Sequence, residues 1–172
     1  MKREERITMA LGEQPADLLL RNARLVNVLT GEIHPADIAI AGGYIIGWGN
    51  YDAREVMDLA GAFVCPGFID AHVHLESSMV TPAQFARAVV PRGTTAVIAD
   101  PHEIANVLGV EGIRYILRAS EHIPLRVFVM ASSCVPATPM ETAGASVTPA
   151  DVRSLLGEPR VLGLAEMMNY PG

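Results

Sequence analysis

Cysteine is scarce in this sequence, and basic residues are outnumbered by acidic ones. The 172 residues include two cysteines, Cys65 and Cys134, which are too far apart for a CxxC pair or a compact disulfide framework. We therefore expect both to be reduced, packed thiols. The formal net charge of -6 leaves no basic patch that could release counterions from phosphates, so nucleic acid is not an expected partner.

Long hydrophobic runs are also missing, although 50% of the residues are hydrophobic. The sequence has no stretch of about 18 apolar residues that could span a membrane, and no apolar run of signal-peptide length near the N-terminus. We therefore expect a soluble, cytoplasmic protein without a membrane partner. The apolar content is high enough for a buried core and differs from that of disordered or fibrous chains.

Short apolar runs separated by turn residues occupy the chain from Ala16 to Val64. This alternation of β-branched or leucine-rich runs with glycine-containing turns is typical of antiparallel strands. The sequence therefore predicts a small all-β module within residues 1–64. The turn residues are Thr30, Gly31, Gly42, Gly43 and Gly61.

After Pro66 the pattern changes to strand, polar loop and amphipathic helix. Thr81 and Gln84 predict a capping box at the start of one helix, and Thr148 followed by Pro149 predicts the start of another. Several apolar runs near these helices are too short to be helical and are expected to form buried parallel strands. These runs lie in FVCPGFIDAHVH, TAVIAD, LRVFVMASS and VLGLAEMM.

Four predicted strands alternate with three helical regions in residues 65–172. This arrangement is α/β and corresponds to the first half of a (β/α)8 barrel with right-handed crossovers. A complete open α/β sheet is the alternative fold. The dinucleotide-binding fingerprint common in such sheets is missing, because GWGNYD lacks the third glycine and does not open a helix.

Polar side chains follow each of the four predicted strands. Because the carboxyl ends of barrel strands share one face, and active sites are built there, we expect these side chains to form a functional site. They are Asp70, His72 and His74 after the first strand, Asp100, His102 and Glu103 after the second, Ser132 and Ser133 after the third, and Glu166 after the fourth.

His72 and His74 alternate with Val73, so in an extended segment both imidazoles point to the same side. Two neutral imidazoles on one side can bind one divalent metal ion. Glu166 would place a charge in an otherwise apolar barrel mouth, where a metal ion or a positive partner would offset the cost of burial. The alternative to a metal site is a salt bridge between Glu166 and an arginine or lysine.

The segment DPHE is open to two interpretations. A capped helix start accounts for Asp100 and for Glu103, whose charge favours the positive end of the helix dipole. It does not account for His102, which beside a metal site could be a ligand, a substrate donor or a proton shuttle. The serines, including Ser132 and Ser133, are expected to be loop and cap hydroxyls rather than nucleophiles.

The stretch GFIDAHVHLESSMVTPAQFARAVVPRGTTAVIADPHEIANVLG, together with GLAEMMNYPG, resembles the amidohydrolase superfamily and, within it, is similar to the bacterial adenine deaminase family. The resemblance extends over about residues 16–172. It implies a metal-dependent TIM-like barrel that follows a β-sandwich built from both chain ends, so residues 1–64 would be the N-terminal part of that sandwich.

The resemblance also implies a reaction and a metal centre. Adenine would be hydrolysed to hypoxanthine and ammonia, in purine salvage, by hydroxide generated at divalent metal. His72 and His74 would bind one metal of a two-metal centre and Glu166 would bridge the metals, with manganese or iron expected and zinc as the other candidate. Asp100, His102 and Glu103 are the candidate catalytic residues.

The family's remaining ligands, two further histidines and a late aspartate, lie beyond the equivalent of Gly172. We therefore expect this chain to be the N-terminal portion of such an enzyme and to be inactive alone. Uncovered strand edges predict a partner, either a second copy of the chain or a polypeptide that supplies the missing half of the barrel. The alternatives are another metal-dependent amidohydrolase acting on a cyclic amide and a non-catalytic half-barrel module.

Overall fold

The computed structural model describes residues 2–169. The chain divides into two compact units, Met1–Pro66 and Gly67–Gly172, and each unit contains its own sheet. Within the described residues, the helices are all too short or too polar to cross a membrane.

The first unit is one helix followed by a mixed sheet. Its strands are ordered β3-β2-β1-β4, and β5 also pairs with β1. The pairs β1–β2 and β2–β3 are antiparallel, whereas β4 and β5 run parallel to β1. The elements are α1 (Arg3–Ala10), β1 (Ala16–Asn27), β2 (Glu32–Ala41), β3 (Tyr44–Trp48), β4 (Ala53–Asp58) and β5 (Phe63–Val64).

Within Ala16–Val64 the elements are all strands, as predicted, but the prediction that they are antiparallel is wrong for β4 and β5. Turn residues mark where strands end, but they do not determine which edge a later strand joins, and β4 joins the free edge of β1 rather than pairing with β3. Helix α1 was not predicted because its short charged sequence has no clear apolar stripe. It buries Met9, and its last residue, Ala10, accepts a 3.0 Å hydrogen bond from the Tyr51 hydroxyl.

The second unit is a parallel sheet with helices between its strands. The sheet order β6-β7-β8-β9 follows the chain order, and all three neighbouring pairs are parallel. The four strands lie in the four runs predicted from the sequence. The elements are β6 (Phe68–Val73), α2 (Pro82–Val89), β7 (Thr94–Ala99), α3 (His102–Leu108), α4 (Val110–Ala119), β8 (Arg126–Ala131), α5 (Pro149–Leu155) and β9 (Val161–Leu164), with short 3₁₀ helices at Leu75–Ser78 and Val90–Arg92.

The core of this unit forms where the helices cover the central strands. In α4, Ile113, Ile116 and Leu117 recur at the three- and four-residue spacing of one helix face, and they pack with buried residues of β7 and β8. A Cβ atom at Gly112 would lie 2.6 Å from the carbonyl oxygen of Ile104. Only glycine therefore permits the close approach of α4 to α3, the helix that carries His102 and Glu103.

Both predicted helix starts are confirmed, since α2 begins at Pro82 after Thr81 and α5 begins at Pro149 after Thr148, but their caps differ. The start at Thr148 is confirmed, since the Thr148 hydroxyl accepts from the Asp151 N–H and the Asp151 carboxylate accepts from the Thr148 N–H. The Thr148 hydroxyl also donates to the Asp151 carboxylate at 2.6 Å, and this bond, together with the one from the Thr148 N–H, lowers the pKa of Asp151. The capping box at Thr81 is wrong. Its hydroxyl makes no capping bond, and the Gln84 side chain instead accepts from Arg87 at 3.5 Å.

Candidate metal centre

Four side chains converge at the carboxyl edge of the parallel sheet. One ligand atom from each of His72, His74, Asp100 and Glu166 lies within 4.8 Å of the others. His72 is near the end of β6, His74 and Asp100 come directly after β6 and β7, and Glu166 lies shortly after β9. Because neighbouring parallel strands end at the same edge, residues far apart in sequence meet at this point.

The two imidazoles and Glu166 face one another. The Nε2 atoms of His72 and His74 are 3.3 Å apart. The Glu166 carboxylate places Oε1 3.6 Å from His74 Nε2 and Oε2 3.9 Å from His72 Nε2. Between residues 2 and 169, no arginine or lysine forms a salt bridge with Glu166, and the side chains that face its carboxylate are the two histidines.

Asp100 adds a second carboxylate, which the sequence analysis placed among the candidate catalytic residues. Its side chain is 1% exposed, and its Oδ1 accepts a 2.7 Å hydrogen bond from the Ser132 hydroxyl. Its Oδ2 is buried and has no hydrogen-bond partner among residues 2–169. A buried carboxylate oxygen without a donor is costly, and a cation beside the two imidazoles would remove that cost.

His102 contacts Asp100 and is not one of the four converging residues. The ring is buried, and Nε2 lies 2.9 Å from the carbonyl oxygen of Cys134. Because a carbonyl oxygen only accepts, Nε2 must carry the proton. In the neutral ring Nδ1 then has no proton, and this atom lies 3.8 Å from Asp100 Oδ2 without a hydrogen bond.

Glu103 lies beside the second ring nitrogen of His74. Its Oε2 is 3.3 Å from His74 Nδ1, although the two atoms are not in hydrogen-bond geometry. Its Oε1 accepts from the Ser77 hydroxyl at 3.1 Å. Glu103 thus lies on the Nδ1 side of the His74 ring, whereas Glu166 lies near Nε2.

Glu76 was missed by the sequence analysis and lies near the same residues. Its Oε1 accepts from the Ile104 N–H at 3.1 Å, which ties the segment after β6 to α3. Burial raises the pKa of Glu76, with a smaller upward contribution from Glu103. Asp70, by contrast, is exposed and accepts from the His72 N–H at 3.2 Å, outside the converging group.

The donor set suits a divalent metal ion. Imidazole nitrogens and carboxylate oxygens bind zinc, iron and manganese, whereas sites for soft ions use thiolates. The unpartnered Asp100 Oδ2 and the close approach of the His72 and His74 Nε2 atoms both fit a cation between them. The four residues are thus a chemically consistent ligand set.

Comparisons with known proteins identify similar chains. The amidohydrolase family matches residues 63–166. An adenine deaminase of Methanothrix thermoacetophila is 58% identical over 172 residues, which are 100% of this chain and 30% of that protein. Adenine deaminase 2 of Carboxydothermus hydrogenoformans is 55% identical over 166 residues, 96% of this chain and 29% of that protein.

A solved structure of atrazine chlorohydrolase from Arthrobacter aurescens, complexed with zinc and atraton, has a TM-score of 0.63 at 20% identity. The match covers 85% of this chain and 45% of that one, and at this identity the likeness shows the fold alone. This chain spans about 30% of the length of the curated relatives that it matches.

Proposed function

Since the chain belongs to the amidohydrolase family, we propose that it is part of an adenine deaminase, which hydrolyses adenine to hypoxanthine and ammonia. The observation that carries the proposal is the convergence of His72, His74, Asp100 and Glu166 at one edge of the sheet. Identities of 55% and 58% to proteins named adenine deaminase support the choice of substrate. Purine salvage in the cytoplasm is the corresponding role.

The fold proposal is that β6 to β9 form the first half of a (β/α)8 barrel and that residues 1–64 belong to a β-sandwich. The edge strands support the first part. Phe68 and Ile69 on β6, and Leu162 and Leu164 on β9, are exposed. Further strands would cover these apolar residues and satisfy the free strand edges. They would come from a second copy of the chain or from a polypeptide with the remaining strands.

In this proposal His72, His74, Asp100 and Glu166 would hold divalent metal. The chemistry that such an ion supplies is a lowered pKa of water, and hence hydroxide near neutral pH. Manganese and iron are the proposed metals, and the ligand types also admit zinc. Glu166 lies beside both histidine Nε2 atoms and would hold the same ion, and the resemblance to adenine deaminases is the ground for proposing that it would also bridge to a second metal.

The remaining polar residues have supporting roles. Glu103, whose Oε2 lies 3.3 Å from His74 Nδ1, would orient this ring, and the Cys134 carbonyl would fix the tautomer of His102. Hydrolysis of adenine requires a proton for the departing nitrogen. Asp100, His102 and Glu103 are the groups of this chain proposed to move that proton.

A chimera tests the proposal independently of chain length. This chain would replace the matching segment of the Methanothrix thermoacetophila adenine deaminase, and ammonia and hypoxanthine would be measured with adenine as substrate. We expect equal amounts of both products from the chimera and none from the isolated chain with Mn²⁺. The His72→Ala, His74→Ala chimera should lose activity by more than about a hundredfold, the upper range for outer-shell partners of a metal.

The outcomes separate the alternatives. A chimera that releases no ammonia from adenine but opens a cyclic amide such as dihydrouracil would contradict adenine deamination. It would support the alternative of an amidohydrolase that acts on a cyclic amide. A chimera that folds, binds no metal and acts on neither substrate would contradict both and favour a non-catalytic module.

A further inference from the structure

Ser132 lies directly after β8, at the same edge of the sheet as the four converging residues. Its side chain is 0% exposed, and its hydroxyl donates to Asp100 Oδ1 at 2.7 Å. A serine hydroxyl has one proton, so this bond uses its whole donor capacity. The sequence analysis treated Ser132 as a loop hydroxyl, and its burial against a carboxylate indicates a more specific role.

The Asp100 carboxylate has few other restraints. Its Oδ2 has no hydrogen-bond partner. His102 is the nearest ring, but its Nε2 proton is used by the Cys134 carbonyl, and Nδ1 lies 3.8 Å from Oδ2. In the neutral ring, Nδ1 therefore has no proton to donate to this oxygen. Ser132 thus supplies the side-chain hydrogen bond that fixes the rotation of the carboxylate.

We propose that Ser132 is a positioning residue, which holds Asp100 by Oδ1 so that Oδ2 stays directed to the metal site formed with His72 and His74. The proposal rests on the proposed function, because it assumes that these residues bind a divalent ion. It extends the site from the ends of β6, β7 and β9 to the end of β8, so each of the four strands contributes a side chain.

Calorimetric titration of the purified chain with Mn²⁺ tests this role. We expect Ser132→Ala to weaken Mn²⁺ binding by about 10- to 100-fold, as is usual for an outer-shell hydrogen-bond partner. Ser133→Ala is the matched control, since Ser133 is partly exposed and its hydroxyl faces the Cys134 and Met167 sulfurs, and this variant should bind Mn²⁺ like the wild type. Circular dichroism and thermal unfolding of each variant establish that the fold is retained.

A second set of variants separates positioning from a packing effect. In an Asp100→Asn background, Ser132→Ala should cause no further loss of Mn²⁺ affinity, because the group that it orients no longer binds the ion. A further loss of about tenfold in that background would overturn the proposal. If Ser132→Ala does not fold, Ser132→Cys keeps the shape with a weaker donor, and it should bind Mn²⁺ less tightly than the wild type.

Two outcomes distinguish this inference from the function on which it rests. If the wild-type chain binds Mn²⁺ and the Ser132 variants bind it equally well, the positioning role is wrong and the metal site stands. If the wild-type chain binds no Mn²⁺, the metal site proposed for this chain is wrong and the role of Ser132 is overturned with it.

Discussion

Replacing His72 and His74 together with alanine is expected to weaken binding of Mn²⁺ by more than about a hundredfold, beyond the range seen for outer-shell partners. The two Nε2 atoms are 3.3 Å apart and face both Glu166 oxygens. Removing both rings would leave only Asp100 and Glu166 of the four proposed ligands, so half of the proposed protein donors would be lost. Equilibrium dialysis against Mn²⁺, with metal content determined by mass spectrometry, measures the loss.

A matched variant removes two histidines from elsewhere. His34 and His122 lie outside the converging group, and the control variant carries His34→Ala and His122→Asn. Asparagine is chosen for position 122 because it tolerates the positive φ of 57° there. This variant should bind Mn²⁺ like the wild type. Equal losses in the two double variants would mean that histidine content, rather than the site at the sheet edge, determines metal uptake.

Leu155→Ala is expected to destabilise the second unit by about 2–5 kcal/mol, the range for truncating a buried leucine. Leu155 ends α5 and is 0% exposed within the main apolar cluster. The truncation removes buried apolar surface and leaves a cavity that neighbouring β-strand residues cannot fill without shifting. Urea unfolding followed by circular dichroism gives the change in the free energy of unfolding.

The next residue provides the control for this prediction. Leu156 is 46% exposed, so Leu156→Ala should cost less than about 1 kcal/mol, since much of the side chain is already in water. Similar losses for both variants would contradict the packing of α5 described above and would indicate that the helix is rotated about its axis.

The strands and polar clusters of the second unit could be predicted because their signals are local. Each apolar run is short, each ends in polar residues, and parallel strands necessarily end at one edge. The approach of His72, His74 and Glu166 follows from this rule. Strand pairing in the first unit was less predictable, because β4 and β5 pair with β1, although β2 and β3 lie between them in the sequence. Turn residues carry no information about which strand a later strand will join.

The finer geometry of the site depends on contacts between distant residues. The register of β6 against β7 shifts between Asp70 and Val73, and Val73, between the two histidines, accepts a 3.0 Å backbone hydrogen bond from the Asp100 N–H. The tautomer of His102 depends on the Cys134 carbonyl, and the orientation of Asp100 depends on Ser132, each 32 residues away. A sequence motif identifies the residue types present but does not predict such partners.

X-ray absorption at the manganese edge of the Mn²⁺-loaded chain tests most directly the claim that this chain assembles a metal site from strand ends. The four converging residues predict imidazole scattering from two histidines together with an oxygen shell from carboxylates and water. A spectrum with oxygen scattering alone, unchanged by His72→Ala with His74→Ala, would contradict the claim, because the ion would then be bound elsewhere on the acidic surface.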